Sequence, residues 1–193
     1  MTAPLGVILA GGRATRMGGG DKGFLALGGE RLLDRVIRRL DPQVSGIVIN
    51  ANGDRARFSE FGLPVIPDSL PGWPGPLAGV LAGMDWAAEH GASQVVTVAA
   101  DSPFFPADLV ARLTAAGGTS GLALAASPSG RQPTFGLWPV ALREDLRDAL
   151  RSGLRKVVLW TGGHGAGIAE FPDDRAFFNV NTPEDLVAAE AMV

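Results

Sequence analysis

Hydrophobic residues along the chain form short continuous runs that are separated by glycine, proline and polar residues. Short apolar runs with such boundaries are typical of strands that are buried on both faces of a sheet. We therefore predict strands at residues 5–10, 46–50, 64–67, 94–100, 122–126 and 134–138.

The segments between these runs have a helical pattern. Apolar residues in the segment 32–40 recur at the spacing of one helix face, and arginines occupy the other face. We predict helices at residues 32–40, 76–90, 106–116 and 140–151, and a last helix that Thr182 caps and Pro183 begins. Such alternation predicts an α/β fold with a doubly wound, mostly parallel sheet and helices on both faces. The 193 residues suffice for a single domain over residues 1–193.

Polar residues and glycines interrupt the pattern where four predicted strands end. Gly11 and Gly12 follow the first strand, Asn50 ends the second, Asp68 follows the third and Asp101 follows the fourth. Ligands of open parallel sheets bind outside the carboxyl ends of the strands. These positions therefore predict one binding site at that edge.

Composition and charge narrow the ligand class. The net charge of −3 gives no broad field for nucleic acid or an anionic membrane, but residues 11–40 carry seven arginines and lysines against three acids. This local excess favours a small anionic ligand. The chain has no cysteine, which excludes disulfides and thiolate metal sites. The first apolar run is too short to span a bilayer, so we expect a cytoplasmic protein that binds neither nucleic acid nor membrane.

The glycine-rich segment after the first strand is the candidate phosphate site. Its glycines let backbone N–H groups approach phosphate oxygens, and Arg16 and Lys22 add mobile cations. The alternative is a surface loop with two solvated cations. The chain has no G-x-x-x-x-G-K-[ST] motif, and the G-x-G-x-x-G match at residues 18–23 begins too far beyond the strand to be a dinucleotide fingerprint.

This segment resembles the signature loop of a known family. Leu-Ala-Gly-Gly at 9–12, Arg-Met-Gly at 16–18 and Asp-Lys at 21–22 are similar to the loop of the molybdenum cofactor guanylyltransferases, the MobA family. The likeness continues in order at residues 50–52, 68–69, 74–79, 101–104 and 179–186, and thus covers residues 5–190.

The resemblance implies a Rossmann-like nucleotidyltransferase fold and an activity. GMP would pass from GTP to the terminal phosphate of molybdenum-molybdopterin, with release of pyrophosphate and with Mg²⁺ as cofactor. The strand ends within residues 1–105 would bind GTP, and residues 106–193 would bind the acceptor. GTP and molybdopterin are then the small-molecule partners, and transient contact with molybdenum-insertion proteins or molybdoenzyme chaperones is expected.

Three residues are the candidate catalytic set. Asp101 is expected to hold Mg²⁺, Lys22 to contact the α-phosphate or the departing pyrophosphate, and Arg16 to contact the terminal phosphates. The alternatives are a turn or N-cap aspartate and two surface charges.

Further positions are assigned to the nucleotide and the acceptor. Asp68 is the candidate reader of guanine, although it could be a turn aspartate, and the nucleotide set is Leu9, Ala10, Gly11, Gly12, Lys22, Asn50, Asp68 and Asp101. The resemblance implies acceptor roles for Asn179 and Asn181. Arg155 and Lys156 are candidates for an anionic pterin phosphate or simply a solvated helix face. Gln132 stands before Pro133 where the family commonly has histidine, which puts any proton-transfer role there in doubt.

Two other functions stay open at this point. One is the same chemistry on another acceptor, such as a sugar or polyol phosphate with CTP or UTP, and the Asp68 motif argues against it. The other is a nucleotide-binding regulatory module without turnover. The intact set of Arg16, Lys22 and Asp101 argues against that module.

Overall fold

A computed structural model describes residues 3–11, 22–70, 72 and 75–193. In chain order the strands are β1 (Leu5–Leu9), β2 (Ala26–Leu27), β3 (Glu30–Arg31), β4 (Ile47–Asn50), β5 (Val65–Ile66), β6 (Gln94–Ala99), β7 (Ala123–Ser127), β8 (Gly130–Pro139) and β9 (Gly167–Glu170). The α-helices are α1 (Leu32–Leu40), α2 (Pro76–Glu89), α3 (Leu109–Gly117), α4 (Arg143–Arg151), α5 (Val157–Gly163) and α6 (Pro183–Glu190).

One sheet organises the described part of the molecule. Its strand order is β5-β4-β1-β6-β8-β7-β9, while β2 and β3 form a separate hairpin. Strand β8 is antiparallel to both of its neighbours, and the other pairs in the sheet are parallel. β8 reverses because only two residues connect it to β7, and such a short connection joins antiparallel strands. The mostly parallel α/β sheet that the sequence predicts is confirmed.

Helices cover both faces of this sheet. Val7 and Ile8 are adjacent in β1 and fully buried, and they belong to different cores because successive strand residues point to opposite faces. The core around Ile8 includes residues of α1 and α3, whereas the core around Val7 includes residues of α2, α4 and α5. This two-sided packing is the doubly wound arrangement.

Several element predictions are wrong in detail. The helix predicted at 106–116 begins at Leu109, and residues 140–142 form a 3-10 turn before α4. Strand β8 begins four residues earlier than predicted. The β2–β3 hairpin, α5 and β9 were not predicted, because these segments are short and interrupted by glycines that hide any period. Within the described residues, no helix has the length and apolar character needed to cross a bilayer.

Close approach between α2 and the sheet depends on two glycines. A Cβ atom built on Gly83 would lie 2.6 Å from Val7 Cγ2, and one built on Gly79 would overlap Asn50 Oδ1. Gly79 and Gly83 are one helical turn apart, so they present one side-chain-free stripe to β1 and β4. The helix therefore lies directly against the strand ends that carry the polar residues.

Candidate active site

A cleft of about 370 Å³ opens at the carboxyl edge of the sheet. It brings together residues from the ends of β1, β4, β5 and β6 and from the start of α2. Its described lining comprises Leu9, Gly11, Asn50, Asn52, Asp68, Gly75, Pro76, Gly79, Ala99, Asp101 and Thr134. Five of the eight residues assigned to the nucleotide thus line one cleft.

An asparagine pair holds Asp68 at one end of the cleft. The Asn50 side-chain amide donates to Asp68 Oδ1 at 3.0 Å, and the Asn52 amide donates to Asp68 Oδ2 at 2.8 Å. The backbone N–H of Asp68 in turn donates to Asn52 Oδ1 at 2.9 Å. Asn50 is buried, with 3% exposure, so it is a rigid anchor for a half-buried carboxylate. Asp68 is therefore oriented by both of its oxygens and by its backbone.

Asp101 lies at another part of the same cleft, just beyond β6. Its backbone carbonyl accepts a hydrogen bond from Val180 N at 2.8 Å, which joins this strand end to the segment before α6. The neighbouring Ser102 hydroxyl is fully buried and donates to Asn179 Oδ1. Asn179 therefore lies beside the Asp101 loop although 77 residues separate it from Ser102.

An irregularity in β8 supplies one more wall of the cleft. Leu124 pairs with Gly136, but the next residue of β7, Ala125, pairs with Gln132, so residues 133–135 bulge out of the pairing with β7. Thr134 in this bulge lines the cleft. The next residue, Phe135, is buried with its ring against those of Phe105 and Phe177.

Comparisons with known proteins identify the family of this chain. The model of the family described as "MobA-like NTP transferase domain" matches residues 6–164. The chain belongs to the MobA-like NTP transferase family.

The similarity to relatives and solved structures covers nearly the whole chain. A "Molybdenum cofactor guanylyltransferase" of Bradyrhizobium sp. (strain ORS 278) is 53% identical over 99% of this chain and 93% of its own length. One from Cereibacter sphaeroides is 51% identical over 97% and 96%. The structure of molybdopterin-guanine dinucleotide biosynthesis protein A from Archaeoglobus fulgidus superposes with a TM-score of 0.72 at 23% identity, over 97% of both chains.

The fold alone does not identify the base. A 4-diphosphocytidyl-2C-methyl-D-erythritolsynthase from Anaerococcus prevotii superposes with a TM-score of 0.77 at 13% identity, over 99% of this chain and 98% of its own. This chain and this synthase therefore share one fold.

Some residues assigned from the sequence lie outside the described cleft. Gly12, Arg16 and the Lys22 side chain lie outside the described residues, whereas the Lys22 backbone begins a short 3-10 turn over Lys22–Phe24. Ala10 donates its N–H to Asn50 O and packs against the core instead of lining the cleft.

The acceptor candidates are more dispersed. Gln132 Nε2 donates to Ser127 Oγ at 3.0 Å across the β7–β8 hairpin. Asn181 N donates to Asp185 Oδ2, as part of the network that caps α6. Arg155 and Lys156 are exposed directly before α5. The described residues that line the cleft include neither these four residues nor Asn179.

Sequence reasoning missed several residues of the cleft. Asn52 orients Asp68, and its position two residues after Asn50, beyond the same strand, was a usable signal. Thr134 was hidden by the bulge, although proline at 133 within a strand pattern indicates a bulge. Glycine near the start of a helix allows close approach of a ligand or close packing of the helix on the sheet. Gly79 takes part in both, because it packs on Asn50 and lines the cleft.

The oxygen donors at Asp101 fit a Mg²⁺ ion. The described residues contain no group of three or more His, Cys, Asp or Glu side chains that could enclose a metal. Mg²⁺ bound with a nucleotide commonly uses one or two carboxylates, with waters and phosphate oxygens as the other ligands. The half-buried Asp101 carboxylate in the cleft supplies a donor of that kind.

A larger cavity lies elsewhere. It measures about 440 Å³ and is lined by residues of α1 and α3 and of the segment 171–176, including Arg39, Arg112 and Arg175. Arg112 and Arg175 are paired with Asp108 and Asp173. We assign the chemistry to the smaller cleft, because the strand-end residues and the asparagine-held carboxylate are there.

Proposed function

We propose that this protein transfers GMP from GTP to the terminal phosphate of molybdenum-molybdopterin and releases pyrophosphate, leaving the guanine dinucleotide form of the cofactor. The observation that carries the proposal is the Asp68 carboxylate, held by Asn50 and Asn52 in the same cleft as Asp101. The names of the relatives support the choice of acceptor.

The Asp68 carboxylate suits guanine. An ionised carboxylate offers about four lone-pair sites, and the two asparagine amides use one on each oxygen. One further site on each oxygen can then accept the N1–H and the 2-amino group of guanine, which lie side by side. Adenine and cytosine present no such pair of adjacent donors. Asp68 therefore selects GTP.

The reaction needs little acid–base chemistry. A terminal phosphate oxygen of the acceptor forms a bond to the α-phosphorus of GTP, and the bond from that phosphorus to the pyrophosphate oxygen breaks. The nucleophile is already an anion, so Gln132 in place of the family's common histidine does not prevent the step. Catalysis depends on positioning and on charge neutralisation, in which Lys22 and Arg16 stabilise the departing pyrophosphate.

Asp101 would hold the metal ion in this scheme. A bound Mg²⁺ would supply positive charge that neutralises the charge developing on the phosphate oxygens. The Asp101 loop also contacts Asn179 through Ser102, which supports a position for Asp101 next to the segment assigned to the acceptor. We infer that residues 1–105 bind GTP and residues 106–193 bind the acceptor, with Asn179, Asn181, Arg155 and Lys156 on the pterin side.

The test is nucleotide selectivity before and after changing Asp68. Affinities for GTP and ITP are measured by calorimetry, and pyrophosphate release is measured with molybdopterin and each of GTP, ITP, CTP and UTP. We expect wild type to prefer GTP. Asp68→Asn is expected to weaken GTP binding by about 1–3 kcal/mol, which is the cost of an unsatisfied buried donor. It is expected to weaken ITP binding less, because ITP lacks the 2-amino group.

Asp148→Asn is the control, since Asp148 lies exposed on α4. An equal loss for GTP and ITP would show that Asp68 does not read the 2-amino group. A wild type that prefers CTP would overturn the guanylyltransferase proposal in favour of the cytidylyl or sugar-phosphate alternative.

A further inference from the structure

The segment that carries Asp68 has little backbone support. Strand β5 contains only Val65 and Ile66 and pairs with β4 alone, at the edge of the sheet. Edge segments with few ladder hydrogen bonds open most easily. The position of Asp68 must therefore depend on side-chain contacts around it.

Two side-chain hydrogen bonds in series connect this segment to the half of the molecule assigned to the acceptor. The Ser69 hydroxyl donates to Asp85 Oδ2 on α2 at 2.6 Å. The second oxygen of Asp85, Oδ1, accepts from Arg147 Nη2 on α4 at 2.6 Å. Both distances are in the range of strong, charge-assisted hydrogen bonds. Ser69 is thus tied through Asp85 to a helix that lies in the part assigned to the acceptor.

These groups are shielded enough for the contacts to persist. The side chains of Arg147 and Asp85 are 17% and 25% exposed, unlike the surface pairs elsewhere on α4. Arg147 Nε also donates to Glu144 Oε2 at 3.0 Å, so one guanidinium serves two carboxylates. The hydrogen bonds that Arg147 donates to Glu144 and the attraction to both acids raise the pKa of Arg147, and the same hydrogen bonds lower the pKa of Glu144. A guanidinium held on two sides loses little further entropy in orienting Asp85.

We infer that the Ser69–Asp85–Arg147 relay positions the Asp68 carboxylate and so sets the selectivity for guanine. Asn50 and Asn52 orient the Asp68 carboxylate, while the relay holds the backbone that follows it. The three members act as positioning residues that do not themselves contact the base. The inference rests on the proposed function, in which Asp68 reads guanine.

Two variants break the relay at different bonds. Ser69→Ala detaches the segment but leaves the Asp85–Arg147 pair intact, and Arg147→Gln removes the cation that orients Asp85. Each is expected to lower the affinity ratio of GTP to ITP by roughly 3- to 30-fold, the range of network mutations outside a ligand site. The turnover number at saturating GTP should change much less than the affinity. Arg143→Gln is the matched control, because Arg143 is on the same helix and pairs with Glu144 instead of Asp85.

Three measurements separate the possible outcomes. Calorimetric affinities for GTP and ITP give the affinity ratio, and thermal unfolding gives the stability. A double-mutant cycle of Ser69→Ala and Arg147→Gln gives the coupling free energy between the two residues. A double variant with the same ratio as either single variant supports one relay. Lower stability with an unchanged ratio would overturn the inference and leave a structural role only. A changed ratio in Ser69→Ala alone would also overturn it, because Ser69 would then act without Arg147.

Failure of the inference is distinguishable from failure of the proposed function. If Asp68→Asn weakens the binding of GTP and ITP equally, the proposed base recognition fails. The relay inference then fails with it, because the relay is inferred to act through Asp68. If Asp68→Asn behaves as proposed while Arg147→Gln keeps the wild-type ratio, the relay fails alone.

Discussion

At the residue scale, the proposed function gives the same residue type two purposes in one cleft. Asp68 has both carboxylate oxygens engaged by asparagine amides, which fixes its orientation in the cleft. Asp101 is anchored through its backbone carbonyl, which accepts from Val180 N. Orientation by side-chain bonds suits recognition of a planar base, whereas backbone anchoring at a strand end suits a carboxylate that must reach a metal and phosphate oxygens.

Replacement of Asp101 tests the metal assignment at this scale. Asp101→Asn keeps the size and the backbone hydrogen bond but removes the charge, so turnover should fall on the order of 10²- to 10³-fold, as for loss of a preorganised electrostatic group. Circular dichroism and thermal unfolding should match wild type, and the Mg²⁺ dependence of pyrophosphate release should weaken. Asp108→Asn, on the same loop but paired with Arg112, should remain active. Normal turnover of Asp101→Asn at ordinary Mg²⁺ would remove Asp101 from the mechanism.

At the scale of elements, the sequence predicts what depends on local pattern. Strands β1, β4 and β6 are continuous apolar runs, so the sequence locates their ends to within one residue. It thereby also locates Asn50 and Asp101, which lie at these ends. Helix α5 has seven residues and ends in glycines, and no period is detectable over that length. Asn52 and Thr134 reach the cleft through a side-chain network and a bulge, and neither feature is encoded in the spacing of apolar residues.

Contact between α2 and the strand ends gives an element-scale prediction. Gly79→Ala places a methyl group on Asn50 Oδ1 and 2.8 Å from Leu9 Cδ2, so the helix must shift or Asn50 must rotate. We expect lower stability, by about 1–3 kcal/mol as for overpacking, and weaker GTP binding, because Asn50 orients Asp68. Gly162→Ala is the control, because no described residue outside its own helical turn and chain neighbours lies within 4 Å of the added methyl group, so α5 should gain stability. Equal stability and GTP affinity in wild type and Gly79→Ala would contradict the close packing.

At the scale of the whole molecule, one sheet joins the proposed GTP and acceptor halves. Strand β6 belongs to the proposed GTP half and pairs with β8 of the acceptor half. Across this pairing the Trp138 indole N–H donates to Thr97 Oγ1 at 2.9 Å, and both residues are fully buried. The proposed nucleotide and acceptor halves therefore meet at a buried strand pairing, so a change at this junction should affect both.

Thr97→Val tests whether the halves unfold together. The valine keeps the shape of threonine but leaves the buried Trp138 N–H without its acceptor, which costs about 1–3 kcal/mol, or about 5- to 150-fold in the unfolding equilibrium. Hydrogen exchange is followed separately for the amides of β1 and β4 and for those of β7 and β9. Protection in both groups should fall by the same factor, because their slowest amides exchange only when the whole sheet opens. Thr114→Val removes a hydroxyl that donates to the Val110 carbonyl within α3, so it should change protection little. If β7 and β9 lose protection while β1 and β4 keep theirs, the halves open independently, and the single domain is in fact two cooperative units that share a sheet.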